Sequence, residues 1–429
     1  MYKLAVCFIA LLSVSGFTFE TDSDKDKHSD SHLLKKIEEG RDRLKKESVQ
    51  MIMGTVGTRR VKVGRRSYKE VPITGIVGRE MAVAVLDNEG SIRVARAIKR
   101  DPGFEVLSSG FTLTMRRENG INSDIACINP SGGKVVAVKY PVSNEGNRFG
   151  SGDPVIEAIY TPFSAEIGTD EVVNKGIDVQ NSFIEKAYSR LHERGVLSRA
   201  FPGRRVVDVI PKDVLRVLLL NEHIDPGEFK SEGATKALCE RVLTIIGTNH
   251  DKAYAYSISP AGARGLVQMM PSTYALLLNK YTSAGLKSNF GSAVGDPINA
   301  VMAQVLLCDS DWEAIRTKTD LPPDRVGPYL AAAYNGGVGR VLNVLSHDEM
   351  DWMEDPDQSR KPTMTVSKKV PVKVRTRNGK TAKRYVVKHY SQPIFKNETS
   401  KYVSQYHWIN DYLAQRAKSS DRPRRAEVQ

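Results

Sequence analysis

A change of texture near residue 167 constrains this 429-residue chain more than any other feature. Between 51 and 167, short β-branched runs such as "MAVAV", "SIRVARAI", "GFTLTM", "KVVAVKY" and "PVIEAIY" alternate with Gly, Asn and Asp turn signals. From Thr169 onward the apolar residues recur at three- and four-residue spacing, as in Val173, Ile177, Phe183, Ile184, Tyr188 and Leu191. Strands gathered ahead of helices predict an α+β fold: a β-rich N-terminal domain of seven or eight strands, then a mainly helical domain. "LDNEGSIRV" predicts a hairpin in which Asn88 and Gly90 take positive φ. Gly195 predicts a helix stop. Pro211 predicts the first turn of a new helix, where its missing N–H costs nothing. That helix, "KDVLRVLLLN", is apolar almost all round. It is therefore expected to be buried, with Glu222 delivered at its end.

The flanks are read by composition. "MYKLAVCFIALLSVSG" carries one early lysine, an apolar run from Leu4 to Leu12 and small residues after it, the pattern of a secretory signal peptide over 1–18. Residues 19–50 are charged and polar, a solvated tail running into a short polar helix. The expected organisation continues with a β-rich domain over 51–167, a helical domain over 168–418 and a basic tail over 419–429. Insertions occupy 227–253 and 346–392 of the helical domain. No other segment is apolar for long enough to span a membrane. The expected location is the periplasm or cell envelope.

Export makes disulfides possible, and Cys127, Cys239 and Cys308 remain after the signal. One bridge with a spare thiol and three buried thiols both fit. There is no CxxC or Cys/His cluster, so neither a metal nor another cofactor is expected. The net charge of +13 points to polyanions met outside the cell: wall polymers, phospholipid headgroups or acidic peptide stems. The stretch "KPTMTVSKKVPVKVRTRNGKTAKRYVVKHY" holds ten Lys/Arg and no acid, with Asn378-Gly379 between two alternating runs. It predicts a basic β-hairpin over 361–389. An acidic wall polymer or a cell-envelope protein would be its partner; a solvated edge hairpin is the plainer alternative. Nucleic acid is disfavoured by the expected export and by the lack of aromatic interleaving.

Five stretches share one order with a known family. "NEHIDP" carries Glu222; "SISPAGARGLVQ" carries Ser259, Gly262 and Gln268; "DPINAVMAQVLL" begins at Asp296; "AAAYNGG" carries Tyr334 and Asn335; "ETSKYV" carries Tyr402. Over Val214 to Leu413 the chain resembles the lytic transglycosylases, exported peptidoglycan-cleaving enzymes related to the goose-type lysozymes. It departs from them in the spacing, since 227–253 separates the acid from its turn. The resemblance says nothing about residues 20–165.

The resemblance implies a lysozyme-like helical domain acting on the MurNAc–GlcNAc β-1,4 bond of peptidoglycan strands. Glu222 would be the single catalytic residue, first giving a proton to the leaving oxygen and then taking one from the substrate's 6-hydroxyl. The ring would close as a 1,6-anhydro sugar without water. Ser259 and Gln268 would line the subsites beside the acid, Tyr334 and Asn335 would meet the sugar and its N-acetyl group, and Tyr402 would orient Glu222 or the substrate. Asp251 and Glu240 are the fallback acids, and Asp225 is expected to be a turn residue. Two other readings stay open: a hydrolytic muramidase, and a non-catalytic peptidoglycan-binding scaffold that keeps the fold.

Overall fold

The computed structural model describes residues 32–420 apart from 101–102, 144–154, 226, 230–231, 347–350, 356–362, 376–380 and 396. The expected signal peptide, residues 19–31, Pro226, the Asn378-Gly379 turn and 421–429 lie outside the described residues.

The chain is α+β, as its patterning predicts. Helix α1 (His32–Leu44) leads into β1 (Met51–Lys62), β2 (Tyr68–Leu86), β3 (Ile92–Arg100), β4 (Phe104–Val106), β5 (Thr112–Arg117), β6 (Asp124–Asn129), β7 (Lys134–Ser143) and β8 (Val155–Tyr160). The main antiparallel sheet runs β4-β3-β2-β7-β8, with β1 paired to the outer half of the long β2; β5 and β6 pair apart from it. Between β2 and β3, Gly90 takes φ +80 as expected. Asn88 does not take positive φ. Its amide instead donates to the Ser131 carbonyl at 2.8 Å, while the Asp87 carboxylate accepts from the Glu89 and Ser91 N–H groups and closes the turn.

Alternation along β2 sorts the sheet into two buried faces. Met81, Val83 and Val85 join one core, and Ala82, Ala84 and Leu86 join another. The second core is covered by α1, which corrects the expectation of a solvated polar helix. Its charged sequence hides a stripe at three- and four-residue spacing, Leu33, Ile37, Gly40 and Leu44, and Ile37 and Leu44 are buried against the sheet. Arg41 then ties α1 to the helices: Nη2 donates to Asn249 Oδ1 at 2.8 Å. The same Asn249 amide accepts from Thr161 N–H and donates to Thr161 O, both at 2.8 Å.

The other face of the sheet meets the helices. These are α2 (Asp170–Glu193), α3 (Lys212–Asn221), α4 (Glu232–Asn249), α5 (Pro271–Lys280), α6 (Phe290–Val294), α7 (Pro297–Arg316), α8 (Gly327–Gly336), α9 (Val338–Leu345) and α10 (Asp351–Glu354). Strands β9 (Thr363–Arg375) and β10 (Thr381–Pro393) precede the last helix, α11 (Asn397–Ser420). One continuous core joins Met81, Val138 and Tyr160 of the sheet to Ile184, Leu218 and Trp312 of the helices. The change of texture at 167 is thus not a break in packing.

Local signals hold in most places. Gly195 takes φ +60 just past α2, and the following N–H, Val196, returns to Leu191 O, closing the helix. Pro211 sits one residue earlier than expected, capping α3 from extended backbone (φ −68, ψ 132). The 227–253 insertion contains α4, which crosses α2 so tightly that a Cβ on Gly176 would strike the Leu243 carbonyl and one on Gly247 the Val172 carbonyl. Cys127, Cys239 and Cys308 are all free thiols; Cys239 and Cys308 are buried as one expectation had it, whereas Cys127 is only half-buried.

Candidate active site

Glu222 closes α3, whose Val214, Leu215, Val217, Leu218, Leu219 and Leu220 are all buried. Placing a carboxylate beside so much apolar surface, at the negative end of a helix, disfavours its charged form. Burial accordingly pushes the Glu222 carboxyl up from an ordinary 4.5 to about 8; the hydrogen bond from Tyr402 opposes this, and the negative charge of Glu398 adds to it. Water still reaches part of the residue, which is only half-buried.

Tyr402, on α11, donates its hydroxyl to Glu222 Oε1 at 2.5 Å. Burial and the facing carboxylate hold the phenol well above its usual pKa, so it stays protonated and remains a donor. Asn221, the residue before the acid, donates Nδ2 to the Tyr402 carbonyl at 3.0 Å. The ends of α3 and α11 are thereby pinned twice, once by backbone and once at the carboxyl itself. Sequence reasoning missed Asn221. Its only signal is a polar side chain at the end of a helix that otherwise reads as wholly apolar.

A turn beside the acid carries Gln268, whose φ of 44 is strained for a residue with a side chain. Its amide is engaged within the turn: Nε2 donates to Gly265 O at 2.8 Å and to Ser257 Oγ at 3.2 Å. Two neighbours hold the same turn from outside. His223 Nε2 meets Leu266 O at 2.7 Å, and the Tyr334 hydroxyl donates to Val267 O at 2.5 Å. The His223 ring also stacks on Tyr254 at 3.4 Å between centroids, and burial lowers its pKa to about 4, so it is neutral at ordinary pH. The residue after the acid is thus a ring that braces the Gln268 turn. Adjacency to the acid was the only signal that could have singled it out.

The other expected site residues fall around this centre. The Tyr334 phenol is held well above its usual range, first by burial and next by the Glu222 charge, which sets it in the same electrostatic neighbourhood as the acid. Asn335 is exposed, its Oδ1 accepting from Thr399 Oγ1 on α11 at 2.8 Å. Ser259 folds into its own turn, where Oγ accepts from Ala263 N–H at 3.0 Å and Gly262 takes φ +93. Asp296 caps α7, accepting from Ile298 and Asn299 N–H. The structure therefore gathers Glu222, Tyr402, Tyr334 and the Gln268 turn through direct contacts or shared charge. Asn335 and Ser259 make their side-chain bonds outside this group, to Thr399 and Ala263.

The fallback acids are engaged elsewhere. Asp251 is exposed, 3.3 Å from Lys252, and Glu240 lies on α4, 3.2 Å from Arg416. Asp225 accepts from Gly227 N–H at 2.7 Å, as a turn residue would. Among the described residues, no group of three His, Cys, Asp or Glu side chains gathers to hold a metal ion. Chemically, the site offers a carboxylic acid that is still protonated near neutrality and clamped by a phenol. Compared with family models, curated proteins and solved structures, the chain finds no match.

Proposed function

We propose that the chain is an exported lytic transglycosylase of peptidoglycan, with a lysozyme-like arrangement of its helices. The observation that carries this reading is one carboxyl, Glu222, raised to about 8 at the end of a buried helix and gripped by Tyr402. A glycosidic oxygen leaves only when protonated, and an acid with an ordinary pKa is already ionised at neutral pH. Glu222 keeps its proton there. After bond cleavage the same carboxylate accepts the proton of the substrate's 6-hydroxyl, and the muramyl ring closes on itself. Tyr402 stabilises the carboxylate between the two transfers. No cofactor is needed for either step.

A hydrolytic reading has one specific support. Glu398 is the carboxylate whose charge acts on Glu222, and a second carboxylate is what hydrolysis needs to activate water. Digestion of purified sacculi by wild type and Glu222→Gln, with mass analysis of the products, separates the readings. Transglycosylation leaves anhydro ends lighter by one water, hydrolysis leaves reducing ends, and a scaffold leaves the sacculi intact.

A further inference from the structure

Two paired ribbons stand off the packed body of the protein. Strands β9 and β10 pair only with each other, in register from Thr363↔Pro393 to Arg375↔Thr381. Their anchor is Met364, at the edge of the core and 3.7 Å from Asn343 Nδ2. The second ribbon is β1 with the outer half of β2, from Gly57↔Ile73 to Lys62↔Tyr68. An isolated hairpin is marginally stable in water at best, yet both ribbons keep large apolar side chains in solvent. Tyr385, Val387 and Tyr390 are exposed on the first, and Val61, Val63 and Tyr68 on the second.

Residues opposite one another in an antiparallel pair share a face. One face of β9–β10 therefore carries Val366 with Tyr390, Val370 with Val386, and Val372 with Arg384, crossed by the Lys368–Lys388 pair. One face of β1–β2 repeats the scheme, with Arg59 beside Val71, Val61 beside Lys69, and Ile73 below. No acidic residue lies between 363 and 393; the second ribbon holds one, Glu70, which faces Arg60 at 3.6 Å on the opposite side from Arg59, Val61, Lys69 and Val71. On β9–β10, exposed Lys368, Lys388, Arg384 and Tyr390 thus share a face with half-buried valines, while exposed Tyr385 and Val387 line the other.

This combination selects its occupant. A second copy would set like charges against each other. A hydrophilic polyanion, such as a wall polymer, would satisfy the lysines and leave the valines in water. The headgroup boundary of an anionic membrane satisfies both, since phosphates meet the cations while the valines leave water. No described helix is long and apolar enough to cross a bilayer, so such contact would be peripheral. We propose that the β9–β10 ribbon, seconded by β1–β2, docks the protein on the surface of a membrane rich in anionic phospholipid.

Sedimentation of the purified full chain with vesicles tests this, using phosphatidylglycerol–phosphatidylcholine against phosphatidylcholine alone. Binding is expected on the anionic vesicles only. Each lysine removed should weaken it roughly fivefold, so Lys368→Gln/Lys388→Gln loses about 25-fold. Val370→Ser/Val386→Ser should also bind more weakly than wild type. All these residues are exposed or lie on a ribbon outside the core, and unchanged circular dichroism with unchanged sacculus digestion confirms that each variant is folded. If both vesicle types bind alike, if the valine variant binds like wild type, or if the chain binds purified peptidoglycan but no vesicle, the proposal is overturned. The vesicle readout does not depend on enzymatic activity, so a chain that binds anionic vesicles without cleaving sacculi would overturn the transglycosylase reading alone.

Discussion

Tyr402 and Glu222, 180 residues apart in the chain, meet through a 2.5 Å hydrogen bond from phenol to carboxyl. That bond favours the ionised acid, against burial, which favours the neutral one. The balance between them sets where the site can work.

Removing the phenol should therefore have two separable effects. Tyr402→Phe takes away a stabiliser of the carboxylate, so the Glu222 pKa should rise above about 8 and activity should persist to higher pH. The maximal rate should fall, because the carboxyl loses its fixed orientation. A pH–rate profile of sacculus solubilisation reads both. An unmoved alkaline limb would mean that Tyr402 does not govern the acid.

Glu398→Gln should act in the opposite sense. Its negative charge helps raise Glu222, so neutralising it should lower the acid's pKa and move the alkaline limb to lower pH. Under transglycosylation the rate below that limb should remain. Loss of activity by a factor of about 10² or more at every pH would assign Glu398 the base role of a hydrolase.

Glu222→Gln should abolish turnover, a loss of about 10² to 10⁴ for removal of general acid–base help. It should also stabilise the fold at alkaline pH. The folded pKa of Glu222 lies above its ordinary value, so its stability contribution is complete below about 4.5 and is lost as pH rises through about 8. Glutamine carries no such dependence. Thermal melts at pH 5 and pH 8 should show the variant gaining on wild type, by at most about 1.4 kcal/mol per pH unit. Parallel curves would show that the acid is not desolvated.

Gly176→Ala addresses the frame behind the site. The added Cβ would meet the Leu243 carbonyl, and backbone cannot step aside as a flexible side chain can. A destabilisation of about 3 kcal/mol is expected, read as a lowered urea midpoint with an unchanged slope. The α4 insertion would then lose its seat on α2.

The acid was legible in the sequence because helix periodicity and burial are local: six apolar residues in one short helix can only be a core element. Its partner was not legible by the same route. Nothing local to Tyr402 tells that its hydroxyl reaches α3, and only the family resemblance suggested it. Asn88 shows a different limit, since its expected backbone role gave way to a side-chain bond with Ser131, a residue remote in sequence. Helix α1 was misread because its buried stripe is short and diluted by lysine, arginine and glutamate. The brace from His223 to Leu266 depends on how two segments pack, which the spacing of residues does not encode.

The core shared by sheet and helices bears on how the chain is made. When β8 leaves the ribosome at Tyr160, the core that Met81, Val138 and Tyr160 share with Ile184, Leu218 and Trp312 still lacks its helical members. These begin to arrive with α2 and α3. The tie from α1 to the helices waits longer, because Arg41 and Thr161 both bond Asn249. The first half of the polypeptide is thus held short of its finished form until the second half arrives.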